Sequence, residues 1–471
     1  MAEYTRHPIA APPQAPARES SRRLLLRAHA IILTFAFFCA PALDHALTTA
    51  GAAVVFILLT LGTLGWWIPR IVRHRLDDPF PWRRLPWAAI GYVLLAGLSL
   101  LWTAWPALTL LTWTGLVVTT VNGLFLASML SWRELVKTIA SALKWALGLS
   151  LLFELFVSVV IRTPILPPFV TAPSGKIDPQ LYWSRDNLLS DGRIQGIVGN
   201  ANLLAMICVI AVLVFAVRLA GKTKRRGWLV AWIVLALFLL WRSGSATALL
   251  SLAAAVVVLL TILIMRATRR PGQRTLAYSC FTLVGVVAAL IAVVFRDAIF
   301  GALGRSDSLT GRGPIWEQVL AHAWQRPVLG WGFASPWVPT MPGFEPRITD
   351  HDELVMQAHD MWVDVFFQLG FVGIVVIAVV FLALLWRAWF FAVDRPRWDA
   401  DAHRPYARLS VLPTLLLTVL LVQGITESNP VMVWGWLLVV TLSFKIKLAP
   451  IIGVGADEQT IERGLAPRPP R

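Results

Sequence analysis

Charge is scarce in this sequence. Only 14% of its 471 residues are Asp, Glu, Lys or Arg, while 57% are hydrophobic and the mean hydropathy is +0.68. A soluble domain carries about a quarter charged residues, and no soluble fold hides this much apolar surface behind so little polar exterior. Cysteine is nearly absent. Cys39, Cys208 and Cys280 all fall in apolar runs, with neither metal-ligand spacing nor a disulfide framework. There is no H-E-x-x-H, P-loop or dinucleotide fingerprint, and no internal repeat stands out. The first apolar run lacks a small-residue cleavage site, which favours a retained helix over a signal peptide. Acidic residues are outnumbered 26 to 42 by Lys and Arg, giving a net charge of +16. The excess sits in short loops between apolar runs, so it orients the chain in a membrane; nucleic acid is not an expected partner.

What the sequence does have is a succession of apolar runs, at 28–43, 49–68, 86–104, 107–130, 138–161, 197–218, 228–241, 246–265, 276–295, 361–386, 410–426 and 431–446. Most have the length that a hydrocarbon core of ~30 Å requires. Backbone groups in lipid must bond internally, so the runs predict helices, and their length excludes a barrel. The expected fold is all-α: a polytopic membrane protein of about twelve transmembrane helices. Its 23 tryptophans support this, since Trp66, Trp67, Trp82, Trp87, Trp102, Trp105 and Trp132 sit at run ends, where an amphipathic ring prefers the interface. Residues 1–24 read as a disordered cytoplasmic tail, 25–448 as the transmembrane domain and 449–471 as a second cytoplasmic tail. With the N-terminus inside, thirty of the 42 Lys and Arg lie in cytoplasmic segments, and the outer turns 44–48, 105–106 and 427–430 have none. The expectation is a multi-pass protein of the cytoplasmic membrane with both termini cytoplasmic.

Two outer loops, 162–196 and 296–360, break the pattern. The outer side holds ten positive residues, Lys176 against nine arginines: Arg162, Arg185, Arg193, Arg242, Arg296, Arg305, Arg312, Arg326 and Arg347. These are either ordinary solvated loop charges or ligands for an anion. The preference for the bidentate guanidinium fork over the lysine point charge favours a phosphate-bearing ligand at the outer face.

Four segments carry chemistry. Arg193-Ile-Gln-Gly196-Ile-Val-Gly199-Asn200-Ala-Asn202 enters the sixth run from outside. Asn can cap the helix there, or Arg193 and the exposed amides can face an anion. Trp241-Arg242-Ser243-Gly244-Ser245 is a tight outer turn, whose Arg242 either points into the bundle or snorkels to the interface. Gly311-Arg312-Gly-Pro-Ile-Trp316, followed by Arg326-Pro327-Val-Leu-Gly330-Trp-Gly332, brackets a short amphipathic helix from about Ile315 to Trp324, near the membrane surface. Ala358-His359-Asp360 opens the tenth run, with Asp364 one turn deeper. His359 reads either as a cap or packing residue, or as a proton acceptor suited to neutral pH. Asp350-His351-Asp352-Glu353 reads as a solvated turn in preference to a cation site.

At these segments the chain resembles the O-antigen ligase and O-antigen polymerase superfamily, which includes exopolysaccharide polymerases. The resemblance is carried by Gly196, Gly199-Asn200-Ala-Asn202, Ser243-Gly-Ser245, Gly311-Arg312 with Trp316, Arg326 to Gly332, and Ala358-His359 before Leu369-Gly370. It implies a metal-independent, cofactor-free C-type glycosyltransferase that takes a glycan from an undecaprenyl-diphosphate carrier to a glycan, glycolipid or other acceptor among membrane lipids. It also implies roles for residues. His359 is the base and Asp360 its acidic neighbour. Arg312, and more loosely Arg242 and Arg193, hold the diphosphate. Asn202, Ser245, Arg326 and Asp364 support them. The family's turn often places arginine after the second serine, whereas here Ala246 stands there and the arginine is Arg242. A secondary transporter of a small anionic solute is the competing class. It favours charge at the midplane, where Lys144, Glu154 and Asp364 are the residues to watch. Ligase and polymerase are not separable at this level.

Overall fold

The computed structural model describes residues 21–73, 80–170, 177, 181–221, 226–268, 270–294, 312–333, 349–350, 353–354, 357–394 and 406–449. Lys176, Arg296, Arg305, Gly311, Arg347, His351 and Asp352, the greater part of both tails, and parts of the two outer loops lie outside them.

Thirteen helices are described: α1 (Ser21–Phe38), α2 (Ala40–Arg73), α3 (Trp87–Leu98), α4 (Pro106–Met129), α5 (Trp132–Phe156), α6 (Ala201–Ala220), α7 (Arg226–Ser243), α8 (Ala246–Ala267), α9 (Pro271–Val294), α10 (Gly313–Ala323), α11 (Met361–Ala392), α12 (Leu412–Gly424) and α13 (Val433–Leu448). All but α10 fall on the twelve apolar runs. Among the described residues, seven stretches are long and apolar enough to cross a membrane: α2, α4, α5 with its π-helical extension, α6, α7, α8 and α11. The all-α polytopic membrane architecture is thus observed, apart from two-residue strands pairing Thr349–Asp350 with Glu353–Leu354.

Local chemistry explains the helix ends. Ser131 and Glu134 form a capping box at the start of α5, and Glu134 also receives Arg23 at 2.7 Å, tying α1 to α5. Asn200, Ser245 and Asp360 cap α6, α8 and α11 with their side chains. Polar side chains bond helices together inside the bundle, as is common in lipid. Asn122 on α4 bonds Thr60 and Thr63 on α2, and Trp436 on α13 donates to Thr120. α6 is largely enclosed, packed against α5, α7, α8 and α12.

Two helices are broken. Thr48 (φ 68°) interrupts α2 where the sequence places an outer turn, and Gly370 (φ 63°) interrupts α11. In an unbroken helix the Phe371 and Val372 N–H groups would bond the Phe367 and Gln368 carbonyls. Instead Phe371 donates to Pro327 at 2.8 Å and Val372 to Val328 at 3.2 Å. The freed carbonyls accept from Trp331 at 3.1 Å and Gly332 at 2.9 Å. This exchange needs close backbone approach. A Cβ on Gly330 (φ 68°) would collide with the Gln368 main chain, and one on Gly370 with Val328.

Candidate functional site

Polar residues from segments that the charge pattern assigns to the outer side converge on Glu427, in the turn between α12 and α13. Its Oε1 accepts from Arg312 Nη2 at 2.8 Å and from Asn202 Nδ2 at 3.3 Å. Its Oε2 pairs with His359 Nδ1 at 3.0 Å and accepts from Gln357 Nε2 at 3.3 Å. Arg312 also donates to the Thr426 carbonyl. Asn202 in turn receives Arg193 Nη2 at 2.5 Å, and Arg193 Nε donates to the Ser243 carbonyl at 2.6 Å. Four of the residues singled out in the sequence, Arg193, Asn202, Arg312 and His359, thus join one network with a carboxylate at its centre.

Each partner is delivered by its own element. Arg312 is the N-cap residue of α10, whose Ile315, Val319 and Ala323 pack with Ala358, Phe366 and Phe367. His359 precedes α11 in a left-handed conformation, φ 53°. Such backbone is sparsely populated and costs on the order of 1–3 kcal/mol, so surrounding bonds must hold it. Trp316 Nε1 donates to the Ala358 carbonyl at 2.8 Å, Asp364 Oδ1 accepts from the Ala358 amide at 3.3 Å, and Asp364 Oδ2 accepts from Ser428 Oγ. Asp364 therefore joins the turn bearing His359 to the turn bearing Glu427.

The electrostatics follow from this geometry. Burial works to raise the Glu427 pKa, but His359 and Arg312 together outweigh it and hold the carboxyl below its ordinary value. The Glu427 side chain is 8% exposed and that of His359 31%. The imidazole edge can therefore meet a ligand while the carboxylate behind it cannot. Glu427 occupies Nδ1, and no described residue takes Nε2. Asp360 bonds its own helix start instead, although it feels the Arg312 charge. Its Oδ1 accepts from the Trp362 and Val363 amides at 2.8 and 3.0 Å, and burial raises its pKa. The acidic group on His359 is Glu427, where the sequence reading gave that place to Asp360.

The other candidates stand apart. Arg242 donates through Nη2 to the carbonyls of Asn187, Leu188 and Ser190, clamping the first outer loop. It does not enter the Glu427 network, although its own carbonyl accepts from Ile194, beside Arg193. Ser245 caps α8. Arg326 lies over the Trp331 ring, 4.0 Å from the centroid. Of the charges flagged within spans, Lys144 lies over Trp228 and Trp232. Glu154 accepts from Ser184 Oγ at 2.9 Å and from the Gln195 and Gly196 amides at 2.9 and 2.6 Å, anchoring the segment that carries Arg193.

Residues 231–378 match the family model described as O-antigen ligase. Over that region the chain is similar to the O-antigen ligase family. The match includes Arg242, Ser245, Arg312, Arg326, His359, Asp360 and Asp364, and leaves out Arg193, Asn202 and Glu427. A similar protein is the exopolysaccharide production protein ExoQ of Rhizobium meliloti (strain 1021). It is 29% identical over 154 residues, which cover 31% of this chain and 35% of that protein. The chain thus aligns with about a third of the length of this curated relative. The resemblance read from the motifs, to the O-antigen ligase and polymerase superfamily, holds over this region.

Proposed function

We propose that this chain is a metal-independent membrane glycosyltransferase of polysaccharide biosynthesis. It moves a glycan from an undecaprenyl-diphosphate carrier to an acceptor hydroxyl on the outer face of the cytoplasmic membrane, as an O-antigen ligase or a polysaccharide polymerase. Both termini are cytoplasmic. The observation that carries this reading is that one buried carboxylate, that of Glu427, holds a guanidinium and an imidazole side by side.

The chemistry is a displacement at the anomeric carbon. His359 Nε2 takes the proton from the acceptor hydroxyl as its oxygen bonds to that carbon. Glu427, bonded to Nδ1, fixes the tautomer and stabilises the imidazolium that forms. The carbon–oxygen bond to the carrier breaks, and its electron pair leaves on the diphosphate. Arg312, with Arg193 alongside, meets that negative charge. Asp364 and Asp360 position the turn and the helix start. Against a transporter, the break in α11 has its freed groups bonded by residues 327–332, so the Phe367 and Gln368 carbonyls are not offered to an ion.

The test is incubation of the purified protein with defined undecaprenyl-diphosphate glycans and candidate acceptors, with donor binding measured separately. His359→Ala should bind donor and lose transfer by about 10²–10⁴-fold per folded molecule. Undiminished turnover in that variant removes His359 from the mechanism.

A further inference from the structure

The sequence assigns Arg326–Phe333 to an outer loop, yet three observations put it at hydrocarbon depth. The first is vertical position. Arg387, flanked by Trp386 and Trp389, marks one membrane interface on α11. Gly370 lies 17 residues earlier, or roughly 25 Å at 1.5 Å per residue, which is less than the ~30 Å thickness of the apolar core. Residues 327–332 are bonded to the main chain on both sides of Gly370. The second is Phe333. It is buried, with its ring 6.4 Å from that of Tyr92, one turn and a half inside α3 from Trp87. The Leu85 carbonyl, just before α3, receives Lys447 near the end of α13, the helix end that the charge pattern places opposite the outer loops.

The third is the division between main chain and side chains. Besides the exchange at Gly370, the Leu329 carbonyl accepts from Trp102 Nε1 at 3.1 Å, and the Phe333 amide donates to Ser99 Oγ at 3.1 Å. The Gly330 amide bonds the Arg326 carbonyl at 3.0 Å. Yet Val328 is 60% and Leu329 42% exposed, next to exposed Trp324 and Phe371 whose rings lie 5.9 Å apart. Water does not require paired main-chain groups under bare apolar side chains, whereas lipid does.

We propose that Arg326–Phe333 is a re-entrant segment whose edge, Val328 and Leu329 beside Trp324 and Phe371, packs against acyl chains of the outer bilayer leaflet. Arg326, over the Trp331 ring, marks where the segment enters.

The test uses the full chain with Cys280→Ser, since Cys39 and Cys208 are buried. Leu329→Cys, or Val328→Cys should the first fail to fold, is spin-labelled and reconstituted in phosphatidylcholine–phosphatidylglycerol vesicles. Power saturation then compares collision with oxygen, which partitions into lipid, and with a water-soluble nickel chelate. The expected result is high oxygen and low nickel accessibility, matching a label at lipid-facing Leu382 and opposite to one at Ser190. Nickel accessibility equal to that at Ser190 overturns the proposal. So does low accessibility to both reagents with dipolar broadening that disappears on dilution with unlabelled protein, which would assign the face to a second copy of the chain.

Discussion

Glu427 organises the polar network, yet nothing in its own neighbourhood marks it. It sits in a short turn without Lys or Arg, and its partners are 68 and 115 residues away in sequence. His359 and Arg312 were legible because His at a helix start and Arg outside a membrane are conspicuous types. A single Glu in an outer turn is not, and tertiary proximity cannot be read from one sequence. Glu427→Gln should cut turnover strongly while leaving an isosteric side chain, because the amide cannot stabilise the imidazolium. Its donor binding should weaken less than its turnover. Equal kcat in variant and wild type would detach Glu427 from catalysis. The carboxyl also has a pH signature. Its folded-state pKa lies below the unfolded one, so its stabilisation is present above the ordinary glutamate range and is lost as pH falls through the lowered value. Melting temperature followed from neutral pH to below about 4 should therefore fall more steeply in wild type than in Glu427→Gln. Arg312→Lys should be strongly impaired with charge retained, since Nη1 and Nη2 serve different acceptors and a lysine point charge cannot span them. Wild-type donor affinity in Arg312→Lys would contradict this.

At the level of elements, the helices were legible because lipid enforces them: each apolar run can satisfy its backbone only by coiling. What the runs concealed is interruption. Leu329-Gly330-Trp331-Gly332 and Leu369-Gly370 are visible as two motifs, but periodicity gives no sign that they are two halves of one hydrogen-bonded exchange. The exchange ties α10 to α11, the two helices whose starts carry Arg312 and His359. Gly330→Ala should therefore destabilise by about 1–3 kcal/mol, as overpacking against fixed backbone does. It should also reduce transfer, although Gly330 contacts neither Arg312 nor His359. Thermal unfolding in detergent together with turnover per folded molecule checks both, and an unchanged melting temperature would refute the close approach. Arg242 belongs at this scale too. Its three carbonyl partners make it a clamp on the first outer loop. Arg242→Gln should expose that loop to trypsin at Arg185 before it changes donor affinity, and the reverse order would restore Arg242 to the diphosphate.

At the scale of the whole molecule, the distribution of charge predicts the sidedness. With Cys280→Ser as background, Ser190→Cys should react with a membrane-impermeant maleimide in intact cells, and Gly227→Cys only after permeabilisation. The opposite pattern would invert the molecule and move the Glu427 network to the cytoplasmic face. The same integration bears on descent. Gly330 and Gly370 each make room for the other's strand of backbone, so each is useful only while the other remains. A lineage that replaced one would lose the reason to keep its partner. Across relatives the two positions should therefore behave as one inherited character, both glycine or neither, even though about 40 residues of chain separate them.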